Sequence, residues 1–467
     1  MRRAQLVCAL AVVLAGCTSG KVVPGIEPPP KAASAVAEGT PFGPADVTIT
    51  PPQPPVVPPT PDFWLPPGSY GNPNPLTTAV PSPAPPVLLP PGTRNVLLLG
   101  SDRRTGSGFR TDVIILASLQ PENHAVTLLT IPRDLYVYQP GYTVTRINTA
   151  WINGETIGYP GGGPALLFDT IRYNLGLHVD HYALVEMSGF EQAIDTLGGV
   201  EVRVACSYTD WRLKSANVNP NVVSNWRLYT VPAGLVQMDG NLALWYARSR
   251  ARSSDFDRSR RQHEVLRAVY RRALSIDAFA RLPGFYADLT RVVYTDIGLA
   301  DAGSLGLAVA RISPDRIHSR FIGRGLVTGW RVPVSGAQVL LPKPDRIQAL
   351  LQEAFTFPEE QEALVPQVVV EVVDAAGRPD WASLAVDRLE YAGMAATLGG
   401  AADEREPISL LLDFGQAGDE ERLRVLRALG LRESAVVPSA DASAPAAFRF
   451  ILGENFDPCF DPTIPIS

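Results

Sequence analysis

Arg94-Asn95-Val96-Leu97-Leu98-Leu99-Gly100 is a continuous apolar run closed by a glycine, the pattern of a strand buried on both faces. Two further runs, 113–119 and 125–131, read as strands, with Gln120-Pro121-Glu122-Asn123 as the turn between them. The period then changes. Apolar residues over 164–175 and 187–197 have helical spacing, whereas 182–186 and 200–204 read as strands, the second opened by Gly198-Gly199. A helix is predicted over 257–274 with Asp257 as its N-cap, followed by helical stretches at 277–289 and 302–312. Strands alternating with helices predict an α/β fold, a sandwich built on a mixed sheet.

At 467 residues the chain can bury one large core and a second, smaller one. Strands at 368–373, 408–413 and 447–452, with helices at 381–392 and 419–429, predict a small C-terminal α/β domain over 365–467. Hydrophobic content of 46% is ordinary for a folded protein, and a net charge of −6 gives no reason to expect nucleic acid as a partner. The N-terminus reads as an export signal: Met1-Arg2-Arg3 is positive, and the apolar run 6–14 is too short to span a bilayer. It ends in Leu14-Ala15-Gly16-Cys17, which resembles a bacterial lipobox. That resemblance implies cleavage before Cys17, lipidation of its sulfur and an extracytoplasmic, membrane-anchored location. Residues 18–92 hold 23 of the 44 prolines and are expected to form an extended linker. Cys206 and Cys459 remain as an even pair in an oxidising compartment. They could bridge, but they lie far apart and in different expected domains, so two unpaired cysteines are the favoured reading.

The chemistry gathers at one end of the sheet. Asp102 follows the first strand and Asp112 opens the second, so both carboxylates are expected at the same edge. Magnesium takes one or two carboxylates plus phosphate oxygens, which suits this pair. Arg133, in Ile131-Pro132-Arg133-Asp134, ends the third strand at the same rim. Arg248 and Arg250 are two apart and share a face on an extended strand. Arg258 and Gln262 are four apart and share a helix face. Arginines clamp phosphate oxygens bidentately, and a helix N-terminus adds its own preference for anions. Singly, each of these reads better as an exposed strand-end carboxylate or a solvated helix arginine; together they indicate a pyrophosphate site with a divalent cation. The lipid-anchor signature suggests that this pyrophosphate is carried on a membrane lipid. His178-Val179-Asp180-His181 reads as a structural turn rather than a metal site. The aromatics of 135–142 fit either a lipid entrance or ordinary packing.

The motifs Gly100-Ser101-Asp102, Arg110-Thr111-Asp112, Ile131-Pro132-Arg133-Asp134, Arg146-Ile147-Asn148, Asp180-His181-Tyr182, Leu197-Gly198-Gly199-Val200, Tyr246-Ala247-Arg248-Ser249-Arg250 and Asp257-Arg258 through Gln262 strongly resemble, in this order, the LytR-CpsA-Psr family. The likeness runs from about 93 to 275, with the domain expected over 93–340. It implies an α/β/α sandwich around a mixed sheet, with a hydrophobic pocket for a polyprenyl chain. It also implies Mg2+-dependent transfer of a glycopolymer from polyprenyl pyrophosphate to peptidoglycan, with pyrophosphate hydrolysis as a side activity. Carried over by position, Asp102 and Asp112 look like metal ligands. Arg133, Arg248, Arg250 and Arg258 look catalytic, Arg110 and Gln262 look substrate-binding, and one of the aspartates is expected to act as base. Residues 365–467 resemble, weakly, a C-terminal domain that accompanies the family. They depart from it at Val373-Asp374-Ala375-Ala376-Gly377, where that domain usually has Asn-Gly. The rival reading is a non-catalytic surface lipoprotein that binds polyprenyl-linked or wall polymers.

Overall fold

The computed structural model describes residues 69, 78–101, 110–215, 217–274, 293–312, 316–333, 335–355, 368–392, 394–439 and 444–459. The expected signal, Cys17, Asp102 and the stretch expected as a helix over 277–289 lie outside the described residues. The chain opens with β1 (Arg94–Ser101), β2 (Thr111–Gln120), β3 (Ala125–Thr130), the short pair β4 (Tyr136–Tyr138) and β5 (Val144–Arg146), α1 (Ala150–Ile157) and α2 (Gly162–Leu175). Next come β6 (His181–Glu186), α3 (Met187–Thr196), β7 (Val200–Val204), β8 (Tyr208–Leu213), β9 (Trp226–Val231), β10 (Gly234–Met238), α4 (Gly240–Arg248) and α5 (Asp255–Leu274). They are followed by β11 (Val293–Thr295), α6 (Leu299–Val309), β12 (Ile317–Phe321), β13 (Val327–Arg331), β14 (Gln338–Pro342) and α7 (Pro344–Phe355). The C-terminal elements are β15 (Val369–Asp374), α8 (Pro379–Tyr391), β16 (Ala395–Ala401), β17 (Leu410–Asp413), α9 (Asp419–Leu429), β18 (Val436–Pro438) and β19 (Phe448–Leu452).

The main sheet runs β11-β6-β1-β2-β3-β12. It is mixed: β1 pairs antiparallel with β2 and parallel with β6, and β3 pairs antiparallel with β2 and parallel with β12. Successive side chains of a strand point to opposite faces, and here both faces are covered. Leu97, Leu99, Ile114 and Leu116 pack with Leu167 and Ile171 of α2 and Leu351 and Phe355 of α7. Val96, Ile115 and Leu128 pack on the other side with Ala273 of α5 and Leu305 and Val309 of α6. Each such side chain contributes about 1.5–3 kcal/mol on burial, so strands with no polar face are committed to an α/β/α sandwich. The folded unit is longer at both ends than expected. At its start, Ala84 N–H donates to Tyr173 O at 2.7 Å and Val87 N–H to Gly176 O at 2.9 Å, so the tail of the proline-rich stretch straps across α2. Gly176 has φ +72, and a Cβ there would lie 2.0 Å from Pro85 O. At its end, α7 supplies core residues as far as Phe355.

The second sheet has the order β16-β15-β19-β17-β18, with α8 and α9 closing a core around Val372, Leu389, Leu426 and Phe450. It has five strands where three were expected. β16 contains Gly399 and Gly400, β18 has three residues, and neither carries an apolar run long enough to read as a strand. This unit docks through α8. Its buried Asp387 receives Arg271 Nη1 at 2.6 Å, Arg203 at 3.5 Å and Arg267 at 3.8 Å. Burial alone would raise the Asp387 carboxyl, but the three guanidinium groups hold it below the usual carboxylate range. Docking also corrects the reading of two unpaired cysteines: Cys206 and Cys459 form a disulfide, with Cα atoms 4.4 Å apart. α8 packs against β7 and β10, and this brings the segment after β19 beside the segment after β7.

His263 of α5 lies under the same junction, fully buried, with Nε2 2.6 Å from Thr130 Oγ1 and Nδ1 3.4 Å from Tyr391 Oη. Burial, with Arg267 nearby, drives its pKa down to about 3. Between about pH 6.5, the unfolded value, and about pH 3, only the unfolded chain binds this proton. The neutral imidazole therefore contributes stability that is fully present above about pH 6.5 and is lost as pH falls through that window. Unfolding free energies measured by denaturant from pH 7 to 4 should show a slope from this group of up to about 1.4 kcal/mol per pH unit, absent in His263→Leu. Parallel curves for the two proteins would refute it.

Candidate functional site

The site begins at an irregularity. β1 and β2 keep register to Gly100↔Val113, but Ser101 pairs with Thr111, leaving Asp112 as an extra residue. Such a bulge re-aims a side chain, and Asp112 turns to the sheet rim. Arg133, just past β3, donates from Nη1 to Asp112 Oδ1 at 2.8 Å and from Nε to Asp134 Oδ2 at 3.3 Å. Asp134 Oδ1 lies 3.3 Å from Arg146 Nε, and Arg146 Nη2 donates to Gln338 O on β14 at 2.9 Å. The chain Asp112–Arg133–Asp134–Arg146 thus fixes two guanidinium groups in place by alternating charge.

The second wall comes from α4 and α5. Asp239 caps α4, accepting from Leu242 N at 2.7 Å, and the helix ends at Arg248. Arg248 and Arg250 therefore do not share a strand face as expected: one closes a helix and the other follows it. The N-cap of α5 also differs. Ser254 Oγ accepts from Asp257 N at 3.1 Å and Ser254 O from Arg258 N, so Asp257 is already inside the helix. There it pairs with Arg260 and Arg261. Arg258 sits in the first turn, and Gln262, one turn on, donates Nε2 to Ala247 O at 3.3 Å.

Two further arginines of α5, Arg260 and Arg261, are structural. Arg261 is fully buried, donates to Tyr246 O, to Ser249 O at 2.6 Å and to Ser253 Oγ at 3.0 Å, and stacks 3.8 Å above the Tyr208 ring. It staples down the segment that carries Arg248 and Arg250. Arg260 is held between Asp257 and Glu264, and Tyr246 Oη donates to Glu264 Oε2 at 2.6 Å. Burial raises the Glu264 carboxyl despite Arg260 beside it.

These elements enclose two joined spaces. A polar cleft of about 550 Å³ is lined by Arg110, Arg133, Arg146, Arg248, Arg250 and Arg258, with Asp112, Asp134, Asn148 and Gln338. Six guanidinium groups face two carboxylates, so the cleft favours a multiply charged anion. Behind it lies an apolar cavity of about 240 Å³ between the sheet and α3, α4 and α5, lined by Leu98, Val185, Phe190, Leu244, Val265 and Leu266 among others. Asp112, Arg248 and Arg258 line both spaces. A smaller void of about 80 Å³, sharing Leu98, Leu266 and Val269 with the cavity, carries the apolar lining further along α5.

Of the residues expected in a site, Arg110, Asp112, Arg133, Arg248, Arg250 and Arg258 meet in the cleft. Gln262 lines the apolar cavity, and Asp102 lies outside the described residues. Arg146 and Asn148 were visible in the sequence as a motif but carried no assigned role, and Gln338 had no signal. The aromatics of 135–142 are packing: Tyr136 meets Trp330 and Tyr138 meets Tyr173, edge to face. Asp180 accepts from Asn95 N at 2.7 Å, a structural tie between strand starts. Among the described residues no three His, Cys, Asp or Glu side chains cluster as a metal site. Asp112 still fits a cation that takes most of its ligands from phosphate and water, because the bulge turns its carboxylate into the cleft. Among the described residues no helix is long and apolar enough to cross a membrane.

The chain is similar to several known proteins. Polyisoprenyl-teichoic acid--peptidoglycan teichoic acid transferase TagU of Oceanobacillus iheyensis is 33% identical over 207 residues, 44% of this chain and 59% of that protein. Regulatory protein MsrR of Staphylococcus aureus is 31% identical over 209 residues, 44% of this chain and 57% of its own. The chain thus covers less than two thirds of the length of these relatives. The crystal structure of B. subtilis TagV is 24% identical, covers 57% of this chain and 98% of its own, and has a TM-score of 0.44. The LytR_cpsA_psr family matches residues 82–353, more than half of the sequence, and the chain belongs to that family.

Proposed function

We propose that the protein is a membrane-anchored phosphotransferase that moves a glycopolymer from a polyprenyl-pyrophosphate carrier onto peptidoglycan. The observation that carries this reading is the junction of the apolar cavity with the six-arginine cleft, through Asp112, Arg248 and Arg258. A lipid pyrophosphate is apolar at one end and carries a pyrophosphate at the other, and the two spaces meet in that order. Relatives named for teichoic acid transfer support the reaction class and make a teichoic-type polymer the first donor to try.

In this reaction a sugar hydroxyl of peptidoglycan attacks the phosphorus attached to the glycopolymer. A new O–P bond forms, the bond from that phosphorus to the bridging oxygen breaks, and polyprenyl phosphate leaves. The cleft arginines, of which Arg133 and Arg146 are held in place before substrate arrives, stabilise the charge that moves onto the leaving phosphate. Asp112 or Asp102 takes the hydroxyl proton. A magnesium ion held by these aspartates and by phosphate oxygens would add further charge neutralisation. The anchor is the lipid on Cys17.

The test supplies a short-chain polyprenyl-pyrophosphate glycan, peptidoglycan and magnesium, and follows polyprenyl phosphate release with and without chelator. Chelator-sensitive release with sugar joined to the wall is the expected result. Tight binding without release would favour the non-catalytic lipoprotein. The cavity makes a separate prediction. Ala193 of α3 lines it, and Ala193→Phe shortens the space for a tail. Excluding only two methylene groups costs roughly tenfold in binding, so affinity for a long-chain donor should fall at least that far while a short-chain donor is unaffected. Equal losses on both donors would mean that the tail does not lie there.

A further inference from the structure

Asn148 lines the polar cleft, is 2% exposed, and its Oδ1 has no hydrogen-bond partner among the described residues. Its backbone is tied on both sides. Asn148 N donates to Arg133 O at 3.2 Å, and Asn148 O accepts from Thr111 Oγ1 at 3.4 Å. The residue is thereby held between the two chain segments that carry Arg133 and Asp112. A buried acceptor with nothing to accept destabilises the folded chain, and such groups are rare. One kept at the wall of a cleft points to a ligand that brings the donor.

The chemistry of the cleft indicates which ligand. Guanidinium groups only donate, so the six arginines match phosphate oxygens, and an ionised phosphate offers Asn148 Oδ1 nothing. Asp112 and Asp134 are each bonded to an arginine. An O–H or N–H donor brought into the cleft therefore has a neutral acceptor at Asn148. Sugars carry such donors as hydroxyl and acetamido N–H groups, and the amide nitrogen beside Oδ1 can donate in return.

Two sugars meet at the pyrophosphate, the first of the glycopolymer and the one that attacks. Position decides between them. Asp112, Arg248 and Arg258 line both the cleft and the apolar cavity, whereas Asn148 lines the cleft alone. Polyprenyl phosphate leaves on the cavity side, and the attacking oxygen lies roughly in line with it across the phosphorus. Asn148 O is also bonded to Thr111, the residue before Asp112, a candidate base for the attacking hydroxyl. The sugar that must reach that base is the acceptor.

We propose that Asn148 forms the acceptor-sugar subsite. Its Oδ1 takes a hydrogen bond from an O–H or N–H next to the attacking hydroxyl of a peptidoglycan sugar and aims that hydroxyl at the phosphorus. The proton of the attacking hydroxyl itself remains for the aspartate. This subsite rests on the lipid-linked donor reading, and it favours sugar over water as the nucleophile.

The experiment uses the full chain with a short-chain polyprenyl-pyrophosphate glycan, magnesium and soluble, uncross-linked peptidoglycan strands at several concentrations. The parent is compared with Asn148→Leu, and melting temperatures verify that both are folded. For each protein the readout is the ratio of glycan joined to strands to glycan released by water. Water needs no subsite, so this ratio reports how the acceptor is held and is not moved by a general loss of activity. The ratio should fall roughly five- to tenfold in the variant, the worth of one well-placed hydrogen bond. Asn148→Ser, which removes Oδ1 without adding bulk, should show the same fall should leucine disturb the wall. A ratio equal to that of the parent, whatever the total rate, would overturn the proposal and leave Asn148 to the donor or the fold. A parent that releases no polyprenyl phosphate at any strand concentration would overturn the transferase reading, and the subsite with it.

Discussion

Arg133→Ala should lower polyprenyl phosphate release by about 10²–10³-fold at saturating donor, the loss seen when one preorganised charge-stabilising donor is removed. Arg133 is the hub of the cleft, bonded to Asp112 at 2.8 Å and to Asp134 at 3.3 Å. Its removal takes away a positive charge and leaves two carboxylates without their shared partner. Both effects oppose a pyrophosphate that gains charge at the leaving oxygen. Lysine should rescue only in part, because its point charge cannot span both carboxylates as the planar fork does. The comparison needs kcat and KM separately, with circular dichroism to verify the fold. A kcat within a few-fold of the parent would remove Arg133 from the machinery; a change in KM alone would make it a ground-state clamp.

The sheet was legible because its three central strands are uninterrupted apolar runs separated by turn residues. Two other expectations failed where a local pattern had two meanings. Arg248 and Arg250, two apart, satisfy a strand face, but Asp239 upstream was the stronger signal: it caps a helix whose Ala243 and Tyr246 are buried at helical spacing. Ser254 and Asp257 are both good caps, three residues apart. Only the pairing of Asp257 with Arg260 and Arg261 inside the helix decides for Ser254. The arginines between 248 and 261 do not by their sequence tell cleft residues from clamps. Arg261 is buried because Tyr246 O and Ser249 O need a donor there, and that need arises only when α4 and α5 pack. The apolar cavity was out of reach of residue-level reading, since Phe190, Leu244 and Val265 look like ordinary core. It entered only through the family likeness.

The disulfide had no local signal at all, and it supplies the largest stability effect expected here. Cys206 and Cys459 close a loop 253 residues apart in sequence. Cross-linking restricts the unfolded chain more as the loop lengthens, and removing a native disulfide typically costs about 2–5 kcal/mol; a loop this long belongs at the upper end. Cys206→Ser with Cys459→Ser should therefore unfold in urea at a clearly lower midpoint, and reductant should bring the parent down to the variant. The loss should fall first on the docking of the C-terminal unit, since without the bond α8 is held by its packing on β7 and β10 and by Asp387 with its three arginines. That ionic contact depends on a carboxylate held below its usual range, so it contributes above about pH 4 and is lost as pH falls through the folded value. The double variant should thus release the C-terminal unit in acid while the parent keeps it tethered, and limited proteolysis within α8 would report the difference. Coincident urea midpoints and equal cleavage for the two proteins would mean that the bond joins surfaces already fixed by packing.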